Sequence, residues 1–290
     1  MVDSCVPISD LTVLFSIAVA LMFSVIAFFI MLGKVFARSP WEALARAEFR
    51  QVIVSVVLGV VLVGLASTAC TVSKYAMTEV IKSPFTDQFR HSSDYLNYLT
   101  RIGYNTIKNY WVLVYALNSA NSSLRVGDVK VLGIAQLVAK MIERGISLLY
   151  AAMAASLIIQ QLSIQAAQAL AFTILLPIGM VLRTIPLTRE GGSFLIALAF
   201  GAYIVWPFAF VVNYEVSKVV WQGTNFDQLS KPTVLEELSF QSTKEITTKL
   251  FDFANIFALL LPQALALPLI NLTLFISFVR MFAQYITNLS

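Results

Sequence analysis

The first long apolar run, Leu11 to Leu32, carries no charged side chain over 22 positions. At 1.5 Å per helical residue it is long enough to cross a hydrocarbon core about 30 Å thick, and no other feature restricts the fold as much. A cleaved leader would start with a basic stretch, but Asp3 and Asp10 make this tail acidic, so the segment is expected to stay in the chain. Composition agrees: 58% of the 290 residues are apolar and 12% charged, where a soluble domain carries about twice that charge. The chain reads as an all-α, polytopic integral membrane protein, a single membrane domain over residues 1–290.

Five further runs have spanning length: 52–73, 145–162, 166–182, 193–213 and 254–279. Between the second and third strong spans lies Lys74 to Arg144, whose one apolar concentration, Asn109 to Ala120, makes 104–123 a weak span. Lys and Arg accumulate on the cytoplasmic side. With the weak span counted, residues 33–51, 125–144, 183–192 and the tail from Arg280 face inward with eleven basic against five acidic side chains. The outer parts then hold eight basic against eleven acidic. Six spans would bring the acidic loop inside, so seven are favoured, with the N-terminus outside and the C-terminus cytoplasmic. The turn "RTIPLTREGG", Arg183 to Gly192, is then a cytoplasmic reversal, made possible by Pro186, Gly191 and Gly192. Ser39, Pro40 and Glu42 form a capping box with proline at the first helical position, ahead of the second span. Phe85, Phe89, Tyr95 and Tyr98 recur at helical spacing, an aromatic face for the membrane interface or for neighbouring helices.

What the spans contain narrows the function classes. No Asp or Glu falls in the six strong spans and Lys108 is the only charge in the weak one, which counts against proton pumps and many ion-coupled carriers. The interior polar groups are amides: Gln160, Gln161, Gln165 and Gln168 around an expected tight hairpin, and Gln263 and Asn271 in the last span. They serve interhelical hydrogen bonding or, alternatively, line a hydrated path. Packing rows of small residues are expected at Ser193, Ala197 and Gly201, at Ser55 and Gly59, and in the cluster Ala151, Ala152, Ala154 and Ala155. Prolines interrupt three spans, at Pro177, at Pro207, and at Pro262 with Pro268. A helix broken near mid-bilayer is tolerated beside a cavity or against neighbours. Pro177, Pro262, Gln263, Pro268 and Asn271 are therefore candidate conduit or helix-break residues, with a kinked packing helix as the alternative.

Catalytic constellations are not found: there is no phosphate-binding "GxxxxGK[ST]" and no "GxSxG", so no enzyme activity is expected. Two cysteines and one histidine are too few for a zinc, haem or iron-sulfur centre of the usual kinds, and no cofactor is expected. His91 is expected in a solvated loop. Cys5 and Cys70 would both lie near the outer face and form a candidate disulfide.

The segment "LLPIGMVLRTIPLTREGGSFLIALAFGAYIVWP", Leu175 to Pro207, resembles the signature hairpin of archaeal polytopic proteins of the crenarchaeal DNA-exchange (Ced) system. Those are in turn similar to the polytopic inner-membrane channel subunit of conjugation and type IV secretion machines. The matching residues are Pro177, Gly179, Arg183, Pro186, Arg189, Gly191, Gly192, Gly201 and Pro207. The resemblance implies a subunit of a DNA-import or exchange pore in an archaeal cell membrane, oligomeric, working among lipids with small membrane partners and a cytoplasmic hexameric ATPase. Basic groups at the cytoplasmic mouth would then meet phosphate, and Arg183, Arg189, Arg46, Arg50, Lys140 and Arg144 are the candidates. Two other classes compete: a small-solute secondary transporter, and a structural subunit of a respiratory or secretion complex.

Overall fold

A computed structural model describes residues 8–35, helical positions scattered through 49–80, and 87–123, 133–183, 185, 188–221 and 253–288. Cys5, Cys70, Arg46, Arg50, Phe85, Pro186 and the capping box at Ser39 lie outside the described residues, and the candidate disulfide with them. Among the described residues every regular element is helical. The α-helices are α1 (Ile8–Val35), α2 (Gln88–Ser123), α3 (Gly133–Leu170), α4 (Leu176–Arg183), α5 (Arg189–Phe200), α6 (Trp206–Val220) and α7 (Leu267–Asn288). Three described helical stretches are long and apolar enough to cross a membrane: Ser147–Arg183, Arg189–Val220 and Phe253–Asn288.

The first of these overturns the expected hairpin at Gln160 to Gln168. The chain runs straight from α3 through a π-helical turn, Ala171–Leu175, into α4, as one stretch of 37 residues. No Gly or Pro occurs between Ser147 and Leu176, and Ala, Leu, Gln and Met are strong helix formers, so nothing there stops helix propagation. The stretch is about 55 Å long, well beyond the hydrocarbon thickness, and length alone had divided it into two spans. Arg144 and Arg183 therefore stand near opposite ends of one helix. The two expected spans 145–162 and 166–182 thus form one helical stretch.

Within Lys74 to Arg144, residues 88–123 form one long helix where only a weak span at 104–123 was expected. Helix α2 starts at an N-cap, Asp87, whose carboxylate oxygens accept from the backbone N–H of Phe89 (3.1 Å) and Arg90 (3.3 Å). Leu96, Leu99, Ile102, Thr106, Tyr110 and Val114 recur every three or four residues and are buried, while Tyr104, Lys108, Trp111 and Tyr115 are exposed. His91, expected in solvent, is only 5% exposed on the packed face of this helix. Phe89 and Tyr95 are buried as well, so the aromatic face packs against other helices.

By contact the chain divides into two compact units, residues 1–93 with 162–212 and 270–290, and residues 94–161 with 213–269. In the first, α4 packs directly against α5. A Cβ added at Gly179 would lie 3.0 Å from the carbonyl oxygen of Gly192, and one at Gly201 2.9 Å from Val279. Ser193 and Ala197 are fully buried on that row, as the spacing of small residues requires. Phe172 packs beside them against Tyr203 and Phe200, at ring centroid distances of 4.3 and 5.5 Å. In the second unit, Gly103 sits against Met153, and Tyr110 meets Phe253 edge-on at 6.4 Å. The alanine cluster is not the packing face there: Ala151, Ala152 and Ala155 are exposed, while Met153, Leu157 and Gln160 turn inward.

Candidate functional site

The elbow between α4 and α5 concentrates most of the residues singled out in the sequence. Two successive tight turns make it, Ile185 N–H to Leu182 O (3.3 Å) and Thr188 N–H to Ile185 O (3.1 Å). The Thr188 hydroxyl donates back to Leu182 O at 2.7 Å. Gly191 and Gly192 do not form the reversal; both already belong to the first turn of α5. Gly192 instead admits the α4 backbone, since a Cβ there would lie 2.5 Å from the Arg183 nitrogen and 2.6 Å from the Gly179 carbonyl oxygen.

Arg183 is 2% exposed. Its Nη2 donates to the carbonyl oxygen of Ile286 at 3.0 Å. That carbonyl is among the last four of α7, which have no partner within their own helix, and a cation there also opposes the negative end of the helix dipole. Nη1 has no hydrogen-bond partner among the described residues. Arg183 is thus a buried fastener between the elbow and the end of α7, closed to a passing phosphate. Of the basic candidates whose side chains are described, Arg183 is sealed, Arg189 half-buried and Arg144 exposed. Lys140 belongs to α3 with its side chain outside the described residues.

The prolines share one arrangement. Pro177, Pro207 and Pro268 each follow immediately on a residue whose N–H closes an i to i−5 bond: Leu176 to Ala171, Trp206 to Gly201 and Leu267 to Pro262. Each therefore comes just after a π-helical turn. The inserted residue widens the helix where the pyrrolidine ring would collide with the preceding turn, and the next position has no N–H to contribute. Such a proline frees the carbonyl four residues earlier. For Pro207 that is Tyr203, and Gln88 Nε2 donates to it at 2.8 Å. For Pro268 it is Ala264, which accepts from Ser156 Oγ (2.6 Å) and from Gln160 Nε2 (3.2 Å).

The segment "LLLPQALALPLIN" is therefore a π-bulged packing helix whose released carbonyl is closed by side chains. Gln160 does the interhelical bonding expected of a buried amide in lipid. Gln263 and Asn271 are buried too, and Gln263 Oε1 and Asn271 Nδ2 lack partners among the described residues. Pro262 is the first residue of its π-turn, and Pro177 is half-buried.

Sequence reading missed Gln88 and Ser92. The Ser92 hydroxyl lies within donating distance of Gln88 O (2.7 Å) and Pro207 O (2.9 Å). The signal was present as the i, i+4, i+7 recurrence of Gln88, Ser92 and Tyr95, obscured by the low hydropathy around it. Tyr95 meets Ser217 Oγ at 2.9 Å, and burial pushes its phenol up to about 12 against the smaller opposing effect of that bond. It is a protonated hydrogen-bonding group across the physiological range. Replacing Gln88 by Leu should orphan the Tyr203 carbonyl, cost about 1 to 3 kcal/mol, and lower the melting temperature of the detergent-solubilised protein. An unchanged melting temperature would show that this carbonyl needs no donor.

Among the described residues no group of three or more His, Cys, Asp or Glu side chains is placed to hold a metal ion. No family model, characterised protein or solved structure matches the chain.

Proposed function

We propose that the chain is a membrane-integral subunit of a DNA-translocating assembly in the cell membrane, a wall or scaffold energised by a separate ATPase. The observation that carries this reading is the α4–α5 hairpin. Gly179, Arg183, Gly192 and Gly201 are all shared with the signature hairpin it resembles: Gly179 and Gly192 stand against backbone, Arg183 against a helix end, and Gly201 against the side chains of Phe275 and Val279. The hairpin is thus a rigid unit built around those residues. Gln160 reaches the broken last span only to join helices, through the Ala264 carbonyl, and this favours a packing role over a solute path there. Exposed apolar side chains on α7, Leu269, Leu274, Met281 and Tyr285, offer a surface for lipid or partner helices.

The orientation we propose has five crossings, the N-terminus outside, and the elbow and C-terminus inside, with α2 not among the crossings. Short loops dominate the charge rule. Residues 33–51 hold four basic against two acidic side chains and 183–192 two against one, while 221–252 hold three against five. Arg189, half-buried at the start of α5, is the elbow residue we propose to meet a polyanion. Arg189→Glu is expected to lower DNA uptake several-fold at unchanged membrane abundance, and unchanged uptake would end its proposed role. In a Cys5→Ser, Cys70→Ser background, Glu190→Cys should react with an impermeant maleimide in inverted vesicles and not in whole cells; the opposite pattern would overturn the orientation.

A further inference from the structure

A groove of about 770 Å³ runs between α5 and α7 within the first unit. Its volume lies in the range of small-molecule sites, about 300 to 1,000 Å³. Phe194 and Leu198 of α5 face Phe275, Ile276 and Val279 of α7 along its apolar part. Toward the elbow the lining changes to Arg280, Gln284 and Thr287, with Glu190 on the α5 side. The order of these groups matches the depth profile of a bilayer, hydrocarbon first and then hydrogen-bonding groups.

Arg280 is the informative residue. It is the first charge after Ala254 to Val279, a run with none, which puts it where an apolar span meets the polar boundary. It is exposed, and among the described residues its side chain makes no ion pair or hydrogen bond. A guanidinium beside hydrocarbon without a counter-ion calls for an anion at that depth, and a planar donor fork matches phosphate oxygens. A phosphodiester buried to its glycerol is the anion a membrane places there. Glu190 in the same groove opposes a doubly charged headgroup and tolerates a singly charged one bearing hydroxyls or an amine.

We propose that this groove binds one phospholipid, Arg280 holding the phosphodiester and the Phe194, Leu198 and Phe275 walls receiving an acyl chain. The proposal does not depend on DNA transport. It concerns the elbow end of α7, which Arg183 anchors through Ile286, so a lipid here would brace the same junction from the bilayer side.

The test is native mass spectrometry of the full-length protein, delipidated in detergent and titrated with dioleoyl-phosphatidylglycerol, beside dioleoylglycerol, which lacks the phosphate. One phosphatidylglycerol per chain should resist activation that strips the rest. Arg280→Gln should weaken its retention about tenfold, the loss of one charge-assisted hydrogen-bonding group. Leu198→Trp should displace it by filling the groove with Arg280 intact, and dioleoylglycerol should not compete. Equal retention by Arg280→Gln, equal binding of dioleoylglycerol, or no retained lipid at all would overturn the proposal. So would a Leu198→Trp variant that splits an oligomer without altering lipid retention, since the groove would then be an interface between copies.

Discussion

Gly192→Ala should prevent the α4–α5 hairpin from closing. The new methyl would sit 2.5 Å from the Arg183 nitrogen, 2.6 Å from the Gly179 carbonyl oxygen and 2.9 Å from the Arg183 Cα. All three are backbone atoms, so no rotamer change can make room and the helices must separate. Overpacking a core by one methyl group commonly costs about 1 to 3 kcal/mol, and a clash against backbone alone belongs at the upper end or beyond. The expected result is loss of the monodisperse peak in size-exclusion chromatography, with a large fall in melting temperature. Gly191→Ala provides the internal control. Nothing lies within 4 Å of a Cβ at Gly191, and alanine is favoured over glycine within a helix by about 1 kcal/mol. Neighbouring glycines should therefore respond with opposite signs. Equal tolerance of both substitutions would refute the close backbone approach.

Arg183→Ala should lower stability and membrane abundance, by about 3 kcal/mol in the first of these. It removes the donor to Ile286 O, leaves a helix-end carbonyl unpaired, and opens a void where a long side chain was buried. Arg183→Met retains most of the apolar stem and loses only the bond, so it should fall between wild type and alanine. The two elbow arginines then separate experimentally. Arg183 substitutions act on folding, whereas Arg189, half-buried at the start of α5, can be changed with the hairpin intact. Normal abundance of Arg183→Ala would mean that another group closes the end of α7, and the anchoring role would have to be dropped.

Several packing features were legible residue by residue. The Ser193, Ala197 and Gly201 row is buried at the spacing the sequence displays, because close helix approach in lipid needs small side chains wherever it occurs. Gln160 was legible as an interhelical donor for the same kind of reason: an amide in hydrocarbon must find a partner. The prolines were legible as interruptions. What they interrupt was not, since a π-turn and a distant Gln88 or Ser156 decide whether the freed carbonyl opens a cavity or closes a contact.

The chain's own composition and hydrophobic runs determined that it is helical and has segments long and apolar enough to cross a membrane, because transfer into hydrocarbon and backbone satisfaction are properties of each segment by itself. Tertiary structure alone decided where it turns, that the glutamine-rich stretch continues as one 37-residue helix, that His91 is packed, and that Arg183 fastens α7 while Arg189 remains half-open. Hydropathy and charge register only how a residue interacts with lipid or water. Whether its neighbour is lipid, water or another helix depends on segments a hundred residues away, as with Arg183 and Ile286, and no local pattern encodes that pairing.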